Sequence, residues 1–186
     1  MMGHINNMVV TMVRENLGEE GVAKLFAHAQ LDPSTKYQPE VIYPEPEFQA
    51  LFKGAQAVFG VDSETAEKAF SKYFMHVSPK MFPAIFKHAK SARQMLEKIP
   101  GIHRNFPSAA SQGSYQDKVF ITESTPERIV IEYDSPNQLC VTLQTVASIV
   151  LDYYGEIGEV SETACAKHGA PRCRVVIAFH GKKSDA

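Results

Sequence analysis

The feature that most constrains this chain is a change of hydrophobic period part-way along it. Up to about residue 106 apolar side chains recur three and four residues apart, the spacing of one face of a helix, whereas from residue 118 they fall in short alternating runs. Helices first and strands afterwards rule out the regular βα alternation of a parallel sheet. The expected class is α+β, a helical N-terminal half packed on a C-terminal ββαββ half with an antiparallel sheet.

In the first half, Ile5, Val9, Met12 and Val13 predict a helix over 4–17 that Gly18 closes, and Val22, Leu25, Phe26 and Ala29 predict a second that Asp32-Pro33 stops. The YPEP run at 43–46 reads as a rigid connector. Phe48, Leu51, Phe52, Ala55, Val58 and Phe59 mark a third helix ending at Gly60. Asp62 or Ser63 caps a fourth that turns Ala66, Ala69, Phe70, Tyr73 and Phe74 inward. Over 90–106, Ala92, Leu96, Ile99 and His103 share a stripe, and Pro100 predicts a kink or short break before His103.

In the second half, 118–124 and 128–135 read as a hairpin turning at Thr125-Pro126-Glu127, with Ile129, Ile131 and Tyr133 on one face. Leu139, Leu143, Val146, Val150 and Tyr153 give a helix ending at Gly155. Two further strands follow, the second alternating Cys173, Val175, Ile177 and Phe179.

At 186 residues the chain is expected to be one domain, 1–186, with a helical subdomain over about 1–110 and an α/β subdomain over about 111–181. A net charge of -2, from 19 basic and 21 acidic residues, lacks the basic excess that phosphate-backbone binding needs, which argues against nucleic acid. The first residues, MMGHINNMVVTMVREN, have no basic leader and are interrupted by His4, Asn6 and Asn7. They read as neither signal peptide nor membrane span, so the expected location is the cytoplasm.

Dinucleotide and phosphate loops, nucleophile elbows and HExxH pairs are all missing, so no enzymatic activity is expected. What remains is ligand chemistry. The three cysteines, Cys140, Cys165 and Cys173, together with His168 supply the Cys3His set of a closed tetrahedral zinc site. CAKHGAPRC would give three ligands from one loop and Cys140 the fourth from a helix start. The plainer alternative is that the cysteines are small buried hydrophobes and His168 a loop residue. His103, on an apolar stripe, is either a ligand or a satisfied core histidine.

In order along the chain, MxGxIN at 1–6, GEEG at 18–21, QLDP at 30–33, YP at 43–44, MLxxIxxIH at 95–103 and YxSx at 133–136 resemble the H-NOX family. These are haem-nitric oxide/oxygen-binding domains related to the haem domain of soluble guanylate cyclase. The resemblance runs from Met1 to about Phe179. It implies a noncovalent b-type haem held between the two halves, with His103 as axial iron ligand and Tyr133 and Ser135 on the propionates. The Arg of the family's YxSxR motif is replaced by Asn137, whose amide offers weaker bonds than a bidentate guanidinium.

The position matching the distal Tyr of oxygen-holding members is Thr142. The resemblance therefore implies a distal side lined by Ile5, Val9, Thr142 and Val146, without a strong donor, and a sensor that binds nitric oxide and carbon monoxide but not stably oxygen. It further implies release of His103 as the signal, a histidine kinase or cyclic-di-nucleotide enzyme as partner, and zinc at the cysteine set, as in a redox-responsive subset. The alternative is a haem-free zinc/thiol redox sensor on the same fold.

Overall fold

A computed structural model describes residues 1–105 and 118–182. The chain divides into two compact units, one over Met1–Tyr73 and one combining Phe74–Asn105 with the C-terminal stretch. The helices between Phe74 and Asn105 therefore group with the sheet rather than with the helices that precede them.

The first unit contains α1 (Gly3–Ala29), α2 (Glu45–Phe59) and the start of α3 (Ser63–Met81). The two helices expected before residue 30 are both present and follow one another within α1 across a kink at Gly18, whose non-helical φ of 66° and ψ of -167° are open to glycine without steric cost. Gly60 ends α2 in the left-handed conformation, and its N–H is bonded to Ala57 O. Leu25, Phe26, Phe48 and Leu51 are almost wholly buried, and Phe52 stacks on Phe48 at 5.7 Å and meets Phe70 edge-on at 5.8 Å. Aromatic pairs of this kind add to the area they bury.

The second unit contains the rest of α3, α4 (Pro83–His88), α5 (Ala92–Asn105), β1 (Val119–Ser124), β2 (Arg128–Tyr133), α6 (Cys140–Tyr153), β3 (Glu156–Ala164) and β4 (Cys173–Lys182). The four strands are antiparallel in the order β1-β2-β4-β3. Ile129, Val130 and Ile131 of β2 are all buried, so the strand is covered on both faces at its centre. Leu96, Ile131, Ala147, Val150, Val175 and Ile177 lie in one core cluster. Of the kink or short break that Pro100 suggested, the break is not there, since α5 continues through the proline. The α+β class and the antiparallel sheet read from the periodicities are those of the structure.

The glycine of the MxG run has a physical cause. Gly3 N–H donates to Val41 O at 2.8 Å, and a Cβ at this position would collide with the carbonyl oxygen of Gln38 and press on the Tyr43 ring. Gly3→Ala should therefore destabilise the protein by about 1–3 kcal/mol, because the obstacle is backbone. A denaturant midpoint equal to that of the parent would contradict this packing.

Candidate functional site

His103 lies near the C-terminal end of α5, and the start of that helix is firmly capped. Ser91 Oγ accepts from Gln94 N–H at 3.1 Å, and Gln94 Oε1 accepts from Lys90 N–H at 2.9 Å. Glu156, at the start of β3, accepts from Ala92 N–H at 3.1 Å with its buried carboxylate. Together they satisfy amides that a helix start leaves open, an arrangement typically contributing about 1 kcal/mol per cap.

His103 keeps solvent-accessible surface, yet desolvation by the surrounding protein pulls its pKa down to about 4, with the charge of Lys118 adding to the effect. The two observations agree physically, because a ring can touch solvent while too little water surrounds it to stabilise a charge. The imidazole is neutral at pH 7 and has a lone pair for a metal.

The other expected haem contacts fall in both units. Tyr133 ends β2 and is buried, and Ser135 Oγ accepts from Asn137 N–H at 3.3 Å, which holds the turn after the strand. Tyr133 and Ser135 line a cleft of about 470 Å³ together with Gln138, Ala166, Pro171 and Cys173. Thr142 and Val146, one turn apart on α6, are both half-buried. On α1, Ile5 is half-buried and Val9 fully buried.

Between Ile5 and Val9 lies a residue that the sequence reading passed over. Asn6 is completely buried, and neither its Nδ2 nor its Oδ1 has a hydrogen-bond partner among the described residues. An orphaned amide of this kind costs roughly 1–3 kcal/mol. It shares a helix face with Val9, three residues on, and its only sequence signal was a polar residue interrupting an apolar stripe.

Three of the four expected metal ligands converge. The Sγ atoms of Cys140, Cys165 and Cys173 and a carboxylate oxygen of Glu162 all lie within 4.8 Å of one another. Cys140 opens α6, Cys165 follows β3, and Cys173 begins β4 opposite Tyr133. Cys140 and Cys165 are in thiol–thiol contact at 3.6 Å, and the Ala166 N–H donates to Cys173 Sγ at 3.2 Å. Burial is the first cause that pushes the Cys140 and Cys173 thiols above their ordinary range; for Cys140 the contact with Cys165 adds to it.

His168 lies elsewhere. It is exposed at the end of a 3-10 turn, Ala166–His168, and Gly169 at φ 91° turns the chain after it. The fourth member of the cluster is Glu162, a half-buried residue of β3 whose Oε1 is buried without a hydrogen-bond partner among the described residues. Three thiols and one orphaned carboxylate oxygen suit a divalent cation better than they suit one another.

The family model for haem-NO-binding domains matches residues 2–162, and the chain belongs to that family. Its fold is similar to solved H-NOX structures at low sequence identity. An H-NOX protein from S. oneidensis, in its Fe(II)NO state, aligns with a TM-score of 0.80 and 17% identity over 97% of this chain and 100% of that one. The unliganded Fe(II) H-NOX protein from K. algicida gives 0.80 and 17% over 98% of both chains. An oxygen-binding H-NOX domain related to soluble guanylate cyclases gives 0.78 and 15% over 100% of this chain and 98% of that one. No curated protein matches the sequence.

The Asn6 environment yields a direct test. Asn6→Leu should raise the stability of the haem-free protein by about 1 kcal/mol, since an unpaired buried amide is exchanged for an apolar side chain of similar volume. A lower unfolding midpoint would show that the amide is paired in solution.

Proposed function

We propose that the chain is a haem-based gas sensor, with His103 as the protein's axial ligand. The observation that carries this reading is the neutral, accessible imidazole of His103 on a capped helix, in a chain of the haem-NO-binding family. A bound haem would supply an iron centre able to take a diatomic gas. Tyr133 and Ser135 are the hydroxyls for its carboxylates, and Asn137 offers an amide where the family motif has a guanidinium. Of the residues assigned to the gas side, Thr142 and Val146 of α6 would offer one hydroxyl and one apolar group, and Ile5 and Val9 of α1 offer apolar groups only. This favours nitric oxide and carbon monoxide, which need no hydrogen bond, over oxygen, whose bound form gathers negative charge and does.

His103 would hold the iron from α5, so that a change in that bond would be passed to the helix and through it to a signalling enzyme, a histidine kinase or a cyclic-di-nucleotide enzyme. The chain itself contributes no catalytic group to this scheme. No described helix is long and apolar enough to cross a membrane.

His103→Gly should abolish the haem absorption band of the purified protein and regain it with added imidazole, because the free ligand replaces the side chain. An unaltered spectrum would refute the assignment. The reduced parent protein should bind nitric oxide and carbon monoxide and form no lasting oxygen complex in air. A stable oxygenated spectrum would reverse the gas preference and direct attention to Asn6.

The cysteine cluster supports a second reading, a zinc site acting as an oxidation sensor with or without haem. Cys140, Cys165, Cys173 and Glu162 are its ligands, with Glu162 in the place that sequence spacing gave to His168. Thiolates converted to sulfenic acid or a disulfide no longer complete a tetrahedral shell. The purified chain should carry about one zinc. Cys140→Ser and Glu162→Ala should lower that content, and His168→Ala should leave it unchanged. Zinc lost with His168→Ala and retained with Glu162→Ala would restore the original ligand set.

A further inference from the structure

Charge is unevenly spread along a chain whose net charge is only -2. The 29 residues between Glu67 and Glu97 contain six lysines and arginines, two histidines and no acidic residue. Two of these cations are engaged. Lys68 pairs with Glu64 at 2.6 Å, and Arg93 is held by Pro126 O at 2.7 Å, Ser124 Oγ at 3.3 Å and the Phe179 ring at 4.4 Å. In the second unit that leaves His76 and Lys80 of α3, Lys87 and His88 of α4, and Lys90 in the turn to α5. All five are exposed, and none forms an ion pair among the described residues.

Apolar side chains reach the surface at the same corner. Of the five large apolar side chains exposed among the described residues, three are Met81, Tyr153 and Ile157. Met81 ends α3, and Phe82, whose N–H is bonded to Ser78 O at 2.8 Å, carries the chain directly into α4, where Pro83 and Ala84 are exposed as well. The end of α6 is fastened to α4. The Tyr154 hydroxyl donates to Phe86 O at 3.3 Å, and the Tyr153 ring, 52% exposed, meets the Phe86 ring edge-on at 5.5 Å. Ile157 follows Glu156, whose carboxylate accepts from Ala92 N–H. Lys87 therefore adjoins the residue on which Tyr153 packs, and Lys90 lies two residues before the amide that Glu156 holds. The acids on these elements are Glu156, which is buried, and Asp152 in the last turn of α6.

We propose that this corner, made of α4, the ends of α3 and α6 and the start of β3, is a docking surface for an anionic lipid bilayer. Lys80, Lys87 and Lys90 meet the headgroup phosphates and carboxylates, and Met81, Tyr153 and Ile157 enter the boundary between headgroups and acyl chains. Charge complementarity selects the occupant, because a lysine beside an anionic leaflet strengthens binding about fivefold. The residue types select it too. A protein interface concentrates arginine and aromatic anchors in packed pockets. Here the free cations of the corner are lysines and histidines, and a lysine stem can lie along hydrocarbon while its ammonium stays at the headgroups. Tyrosine is a side chain enriched at bilayer interfaces. Electrostatic attraction and shallow apolar insertion are each weak, and together they give reversible adsorption that needs no spanning helix. Because the chain as a whole is slightly acidic, the attraction is local and orients the molecule. The proposal is independent of the haem reading.

The test is co-sedimentation of the full chain with vesicles, either of phosphatidylcholine alone or with about 30% phosphatidylserine added. The protein should sediment with the anionic vesicles at about 0.1 M salt, leave them at about 1 M salt, and ignore the neutral ones. Lys87→Gln and Lys90→Gln should each lower the partition coefficient about fivefold. Tyr153→Ser should lower it as well while leaving its salt dependence unchanged, since that side chain contributes no charge. Lys36→Gln and Lys53→Gln, at exposed lysines of the first unit, are the controls and should bind as the parent does. Far-ultraviolet circular dichroism of each variant checks that the fold is retained. Absence of binding to the anionic vesicles would overturn the proposal, as would equal binding to neutral vesicles or an equal loss in the control variants. Binding to polyglutamate at the salt concentration where anionic vesicles are ignored would overturn it too, and would assign the corner to an acidic protein segment instead.

Discussion

The pairing of β2 with β4, from Arg128 opposite Ala178 to Tyr133 opposite Cys173, is the constraint on which the second unit depends. Its register is set by burial, because a slip of one residue would move Ile129, Ile131, Val175 and Ile177 from the core to the other face of the sheet. The same register fixes the chemistry at the sheet's edges. It places Cys173 beside Tyr133, where the chain leaves for the start of α6 and Cys140. At the opposite end it holds the Ser124–Arg128 turn and Phe179 where Arg93 can reach both.

Much of this was legible because side-chain period is a direct imprint of burial. The helices before residue 106, the hairpin at Thr125-Pro126-Glu127 and the alternation of β4 all follow from which residues avoid water. The two interruptions expected in the backbone fared differently, each for a reason. Gly18 divides the two helical stretches of α1 as expected, since a single residue at positive φ redirects a helix without requiring a linker. Pro100 lies within α5 because losing one hydrogen bond costs less than abandoning the apolar stripe of Ala92, Leu96 and Ile99.

The ligand sets were less legible. Cys165, His168 and Cys173 have a plausible metal spacing, but spacing along a loop carries no information about direction, and the 3-10 turn carries His168 outward. Glu162 was hidden in EVSET, where an acidic residue on an alternating strand reads as part of a solvated face. Only the arrival of Cys140 and Cys173 from other elements buries its oxygen among thiols. Asn6 escaped notice for a similar reason, because one polar residue in a helical stripe acquires meaning only when its partners can be counted. Arg93 and Glu97, at helical spacing i, i+4, read as an ordinary surface pair until Ser124 joins them from a strand 27 residues further on.

A sensing histidine needs two properties that conflict when they fall on one uniformly packed helix. Its resting position must be reproducible, which calls for many contacts, and its displacement must be cheap, which calls for few. On the reading of His103 as a haem ligand, the start of α5 answers the first of these needs. The caps and the Arg93 contacts give the start of α5 its position through groups drawn from β1, the β1–β2 turn, β3 and β4. Pro100 and Gly101 then remove a backbone bond and side-chain bulk within one turn of His103. Stability in folded proteins is distributed unevenly, and along α5 the side chains pass from buried at Ile99 to half-buried at Ile102 and exposed at His103.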